Sequence, residues 1–103
     1  MLYCKLVRDK IPEIIEQSGK RALIDILSDD EFEVFLERKL DEEVKEYHDS
    51  NDIMELADIL EVIISLAKIQ GYEFQDLVAL QTQKATERGG FSKKILLKTV
   101  SEE

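Results

Sequence analysis

The sequence predicts an all-α fold, a bundle of about four helices with a short extended N-terminal segment, and three observations carry that reading. Apolar residues recur at helical spacing over two long stretches. A capping box, Ser28-Asp29-Asp30-Glu31, opens the first of them. Glycines stand where helical stretches should stop, at Gly19, Gly71 and the pair Gly89-Gly90.

The elements follow in order. Pro12, the only proline, suits a first helical turn, so a short helix is expected from about Pro12 to Gln17, ending near Gly19. Ala22 to Leu27 is a short ambiguous run that reads as extended. The second helix should run from about Asp29 to His48, with Phe32, Leu36, Leu40, Val44 and Tyr47 as its buried stripe. Ser50-Asn51-Asp52 breaks the pattern and starts a third helix, with Asp52 and Glu55 spaced for another capping box. That helix should end at Gly71, and a fourth should span about Phe74 to Arg88. In the remaining tail, Ile95-Leu96-Leu97 is expected to pack back on the body.

The third helix predicts self-association. Ile53, Leu56, Ala57, Leu60, Ile63, Ile64 and Ala67 share one face, while Ile59, Val62, Leu66 and Ile69 form a second, roughly opposite. A helix apolar on two sides is central or sandwiched between subunits, and a chain of 103 residues has few other helices to cover both. A homo-oligomer is the expectation, with residues 1–103 forming one domain.

Composition narrows the partners. With 14 basic and 23 acidic residues the net charge is −9, which repels nucleic-acid phosphates, so no nucleic-acid polymer is expected as a partner. A single nucleotide stays open, because a divalent metal inverts the local sign. The lone cysteine, Cys4, forbids an intramolecular disulfide. Met1 to Lys5 lacks the apolar stretch of a signal peptide, and the most apolar region, Ile53 to Ile69, is interrupted by Glu55, Asp58, Glu61 and Lys68. A cytoplasmic protein with no membrane association is therefore expected.

Two acidic clusters carry the functional reading, Glu42-Glu43-Val44-Lys45-Glu46 and Glu55-Leu56-Ala57-Asp58. In each, residues three apart put two carboxylates on one helix face. Among 23 acidic residues one such pair arises readily by chance on a solvated face. Position distinguishes these. Glu43 follows Leu36 and Leu40 within the apolar stripe, Glu46 projects between Phe32 and Phe35, Glu55 heads the second apolar face of its helix, and Asp58 borders it. Inward carboxylates are costly unless compensated, and an all-oxygen donor set selects Mg²⁺, with Mn²⁺ as the alternative. Glu42 points further out and is either a partner that supports the ligands or, the preferred reading, a surface residue. The rival reading is a non-catalytic helical interaction module whose acidic pairs serve charge or a structural metal.

Lys39 to Glu46, followed by Glu55 to Asp58, resembles the EExxE and ExxD signature of the all-α NTP pyrophosphatase superfamily, which includes MazG, dimeric dUTPases and phosphoribosyl-ATP pyrophosphohydrolase. Lys5 to Pro12, and Lys84 through Arg88-Gly89-Gly90-Phe91, look like a subgroup of small MazG-like, house-cleaning enzymes. The resemblance implies that Glu43, Glu46, Glu55 and Asp58 are the catalytic metal ligands. It also implies a nucleoside triphosphate substrate, split into NMP and pyrophosphate by attack of metal-activated water at the α-phosphorus, and a homodimer or homotetramer. Nothing in the chain matches a base-recognition motif of dUTPases.

Pyrophosphate release also needs positive side chains against the polyphosphate. Arg8, Lys10, Lys84 and Arg88 are the candidate phosphate-binding set, with Lys84 and Arg88 one turn apart just before Gly89-Gly90; Lys5 and Lys39 are further basic neighbours. For any one of them a surface salt bridge is the simpler role. His48, the only histidine, has no thiol near it in sequence and reads as solvated near a helix end, so neither a zinc site nor a Ser-His-Asp triad is supported. Cys4 is more readily a buried or idle thiol than a nucleophile. The chain has no P-loop and no GxGxxG turn.

Overall fold

The computed structural model describes residues 4–102, and within them the chain is all-helical, with four helices and no strand. Met1 to Tyr3, part of the N-terminal segment expected to be extended, lie outside the described residues. Residues 4–10 are irregular and turn at Asp9 and Lys10 into α1 (Ile11–Gln17), with Pro12 in its first turn as predicted. At its end the Gly19 and Lys20 N–H groups bond back to the Glu16 and Ile15 carbonyls. Residues 20–28 then form no regular structure.

α2 (Asp29–Ser50) opens on the predicted capping box. The Ser28 hydroxyl accepts from the Glu31 N–H at 3.2 Å, and the Ser28 N–H donates to the Glu31 carboxylate at 3.1 Å. Asp29, Asp30 and Glu31 in the first turn also complement the positive end of the helix dipole. The predicted stripe is the one that turns inward: Leu36 is buried and Phe32, Leu40, Val44 and Tyr47 are half-buried. The helix runs past His48 to Ser50, because Asn51 takes a left-handed conformation (φ 55°) and returns its N–H to the Tyr47 carbonyl at 2.7 Å.

α3 (Ile53–Ile69) starts after only Asn51 and Asp52. The Asp52 carboxylate caps it by accepting from the Met54 N–H at 2.9 Å. The second capping box predicted with Glu55 does not form. The Asp52 N–H that Glu55 would have reached is taken by the Ser50 hydroxyl at 3.1 Å, and Glu55 lies in the carboxylate cluster instead. The far end closes at Gly71 (φ 87°), where the Gly71 and Tyr72 N–H groups bond to the Lys68 and Ala67 carbonyls. This is the left-handed glycine stop the sequence predicts. α4 (Phe74–Arg88) ends at Gly89.

α2 and α3 pack along their lengths as an antiparallel hairpin, α4 meets only α3, and α1 lies against no other helix. The core is correspondingly thin: Leu36, Val62 and Ala67 are the buried apolar side chains among the described residues. On α3, Val62 is buried and Ile59 and Leu66 are half-buried; on the opposite face Ala67 is buried and Ile63 and Ile64 are half-buried, whereas Ile53, Leu56 and Leu60 towards its start are exposed. The tail does not pack back as predicted. Ile95, Leu96 and Leu97 are each exposed by 74% or more; after a turn at Phe91 to Lys94, the chain makes no backbone hydrogen bond to the hairpin among the described residues. The chain measures 67 × 32 × 22 Å, with a radius of gyration of 18.5 Å against about 13 Å for a compact chain of this length. No helix among the described residues is long and apolar enough to cross a membrane.

Candidate metal centre

The two-residue link at Asn51 and Asp52 builds the site. Glu43 lies seven residues before the end of α2 and Asp58 five after the start of α3, rises of about 10 Å and about 8 Å along antiparallel axes. Carboxylates from the two helices are therefore brought level. Oxygens of Glu43, Glu55 and Asp58 lie within 4.8 Å of one another, and so do oxygens of Glu42, Glu43 and Glu46. Glu43 belongs to both groups. The four predicted ligands thus fall in two clusters joined at Glu43.

Glu43 is the pivot. It is 6% exposed, the one buried charged residue among those described. Its Oε1 is 3.3 Å from the Lys39 ammonium one turn back, while its Oε2 is buried with no hydrogen-bond partner. Burial pushes the Glu43 carboxyl above the ordinary glutamate value, the neighbouring Glu46 carboxylate adds to this, and Lys39 pulls the other way. Glu55 is raised as well, by burial first and then by the charges of Glu46 and Asp58. The cluster thus holds more negative charge than its protein neighbours neutralise.

Two basic residues reach it. The Arg8 guanidinium lies 2.7 Å from the Asp58 carboxylate, 50 residues away in the chain. Lys39 lies 3.3 Å from both Glu42 and Glu43 and is 18% exposed. The remaining predicted cations are not gathered here. Lys10, Lys84 and Arg88 are exposed and form no ion pair among the described residues, and α4, which carries Lys84 and Arg88, does not touch α2.

Glu42 corrects the sequence reading. Rather than a surface residue, it is 29% exposed and bound to both Lys39 at 3.3 Å and Lys5 at 3.4 Å, because the N-terminal segment crosses this part of α2. A cleft of about 210 Å³ beside it is lined by Cys4, Lys5, Leu6, Phe35, Arg38, Lys39 and Glu42. Arg38, which the sequence reading passed over, stands 5.0 Å above the Phe35 ring; its one available signal was the three-residue spacing from that aromatic. Cys4 is exposed rather than buried, and His48 is exposed in the last turn of α2 as expected.

The donor set fits a hard divalent cation. Every candidate ligand is a carboxylate oxygen, and the orphaned Glu43 Oε2 is a buried acceptor that lacks a positive partner. Fold and site together define a class, an all-helical chain whose central hairpin carries a carboxylate cluster. The comparisons with known proteins add little to that. No family model matches the chain and no solved structure matches it. A protein of Mycolicibacterium smegmatis, described only as uncharacterized, is 57% identical over 42 residues, which are 41% of this chain and 43% of its own length. The match spans less than half of either protein.

Proposed function

We propose that this chain is a Mg²⁺-dependent nucleoside triphosphate pyrophosphohydrolase of the MazG-like, all-α type. The observation that carries the reading is the buried, unpartnered Oε2 of Glu43 at the meeting point of carboxylates from α2 and α3. A solvated acidic face has no reason to bury one acceptor without a donor, whereas a cation site requires it. Glu43, Glu46, Glu55 and Asp58 would hold Mg²⁺, or Mn²⁺ in its place. The metal when bound supplies an activated water and neutralises phosphate oxygens.

The protein's own groups serve the remaining needs. Arg8 is tied to Asp58 by a single exposed ion pair, so little free energy holds it there and its guanidinium is free to turn onto a triphosphate. Lys39 offsets the charge of Glu42 and Glu43 within α2. Lys10, Lys84 and Arg88 join the proposed phosphate-binding set only as groups that a bound substrate or a second copy brings to the carboxylates, since within one chain they are not gathered there.

The same reading takes the working form to be a homodimer or homotetramer. The protomer exposes 9681 Å², against about 6,000 Å² for a compact monomer of its mass. Ile53, Leu56 and Leu60 form an open apolar face on α3. The test of function is pyrophosphate release from a panel of NTPs and dNTPs, with Mg²⁺ or with EDTA, by the wild type and by Glu43→Gln. Metal-dependent release that the variant loses supports the proposal. Absence of release across the panel by folded, metal-supplied protein moves the non-catalytic interaction module ahead.

A further inference from the structure

Two stretches of the chain have apolar side chains in solvent and no backbone partners. In residues 22–27, Leu23 is fully exposed and Ile26 nearly so; in residues 95–100, Ile95, Leu96, Leu97 and Val100 are all largely exposed. Neither stretch is helical. Among the described residues, no backbone hydrogen bond outside the helices involves residues 21–27 or 95–102. Each is therefore a row of unpaired N–H and C=O groups, the feature that makes a chain a template for strand addition. Both have the composition for it, with β-branched Ile24, Ile26, Ile95, Thr99 and Val100 and neither glycine nor proline between their ends.

We propose that residues 22–27 of one protomer pair with residues 95–100 of a second copy as an intermolecular β-ribbon. The inference rests on the homo-oligomeric reading and says where copies join beyond the α3 face. Three observations choose a second copy as the occupant. The surface in excess of a compact monomer is about 3,700 Å² per chain, several times the roughly 800 Å² that each partner gives to a standard interface. A single patch on α3 leaves most of that unaccounted for. Charge is the second: the tail runs from Lys93 and Lys94 through Lys98 to Glu102 and Glu103, and the other stretch from Lys20 and Arg21 through Asp25 to Asp29, Asp30 and Glu31, so an antiparallel pairing sets opposite charges against each other at both ends. Two chains of net charge −9 repel each other, and opposite charges matched at the two ends of a ribbon are an arrangement that reverses this locally. The third is reciprocity. Each chain holds both halves of the pair, so a two-fold axis closes two identical ribbons and leaves neither half over.

The full-length protein tests this by three measurements. Light scattering at micromolar concentration should give an oligomeric mass. Hydrogen exchange should find the amides of residues 23–27 and 95–100 protected together. Ile24→Pro and Leu96→Pro, each removing an N–H from the ribbon, should weaken assembly about tenfold or more with the helical circular dichroism retained. An equimolar mixture of the two variants should assemble better than either alone, because one of its two ribbons is then intact. A monomeric wild type overturns the ribbon and the oligomer reading together. An oligomer whose two stretches exchange at unprotected rates overturns the ribbon alone. Protected stretches with no gain on mixing place the pairing within one chain and overturn its intermolecular form.

Discussion

The Arg8 guanidinium sits 2.7 Å from the Asp58 carboxylate and so ties the irregular N-terminal segment to the first turns of α3. The contact spans most of the first half of the chain and ends on a proposed metal ligand. Its two side chains are 56% and 38% exposed, which makes it weak as a stabilising interaction and available as a movable charge.

Arg8→Gln is therefore expected to change stability by less than about 1 kcal/mol. At NTP concentrations below KM, pyrophosphate release should fall about tenfold or more, since a charge-assisted phosphate contact is lost. A thermal melt and initial rates on the same preparation check both halves. A large loss of stability would make Arg8 a structural clamp instead.

Glu43→Gln exchanges a buried, half-satisfied carboxylate for a neutral group of the same shape. Without metal, the variant should be more stable than the wild type by about 1 kcal/mol. Mg²⁺ should raise the Tm of the wild type by mass action and leave that of the variant nearly unmoved. Calorimetry with and without Mg²⁺ decides, independently of any substrate.

The stability of the metal-free protein should depend on pH in two opposed ways. Glu43 and Glu55 bind protons more tightly folded than unfolded, both raised chiefly by burial. Their contribution is complete below about pH 4.3 and is lost as the pH climbs through their raised values. Glu31 behaves conversely. The Ser28 N–H and hydroxyl hold it below the ordinary value, so its contribution is present above about pH 4.3 and is lost as the pH falls through that lowered value. Melts in EDTA from about pH 3 to pH 8 should show Glu43→Gln flattening the upper limb and Glu31→Gln the acid limb.

Ser28→Ala removes the hydroxyl that caps α2 and should cost about 1 kcal/mol, read as a lower denaturant midpoint at unchanged slope. Glu43 lies fifteen residues further along the helix, about 22 Å away, so turnover should be unchanged. A parallel loss of turnover would show that the cap sets the register of the whole hairpin.

The helices were legible because their signals are local. The capping box at Ser28, the stripe from Phe32 to Tyr47 and the stop at Gly71 each depend on residues within a few positions of one another. Glu43 was legible for the same reason, as a carboxylate at a stripe position. The second capping box was misread because two acceptors competed for one N–H, and spacing alone does not reveal that Ser50 wins it. Glu42 was misread because its partner Lys5 comes from a segment 37 residues away. The fate of Ile95 to Leu97 was misread because apolarity says that a segment is to be covered, but not by what. Lys84 and Arg88 follow the same rule: their one-turn spacing was visible, and their remove from α2 was not.

The hairpin also sets an order of events during synthesis. Every proposed ligand lies within residues 43–58, and the turn at Asn51 and Asp52 brings them level without any contribution from α4. As the chain leaves the ribosome, the carboxylate cluster is complete once α3 has emerged and folded back on α2. A divalent cation taken up at that stage would offset the repulsion among the acids while the hairpin closes. On the proposed function, the nascent chain would then take up its metal while α4 and the tail are still confined in the exit tunnel.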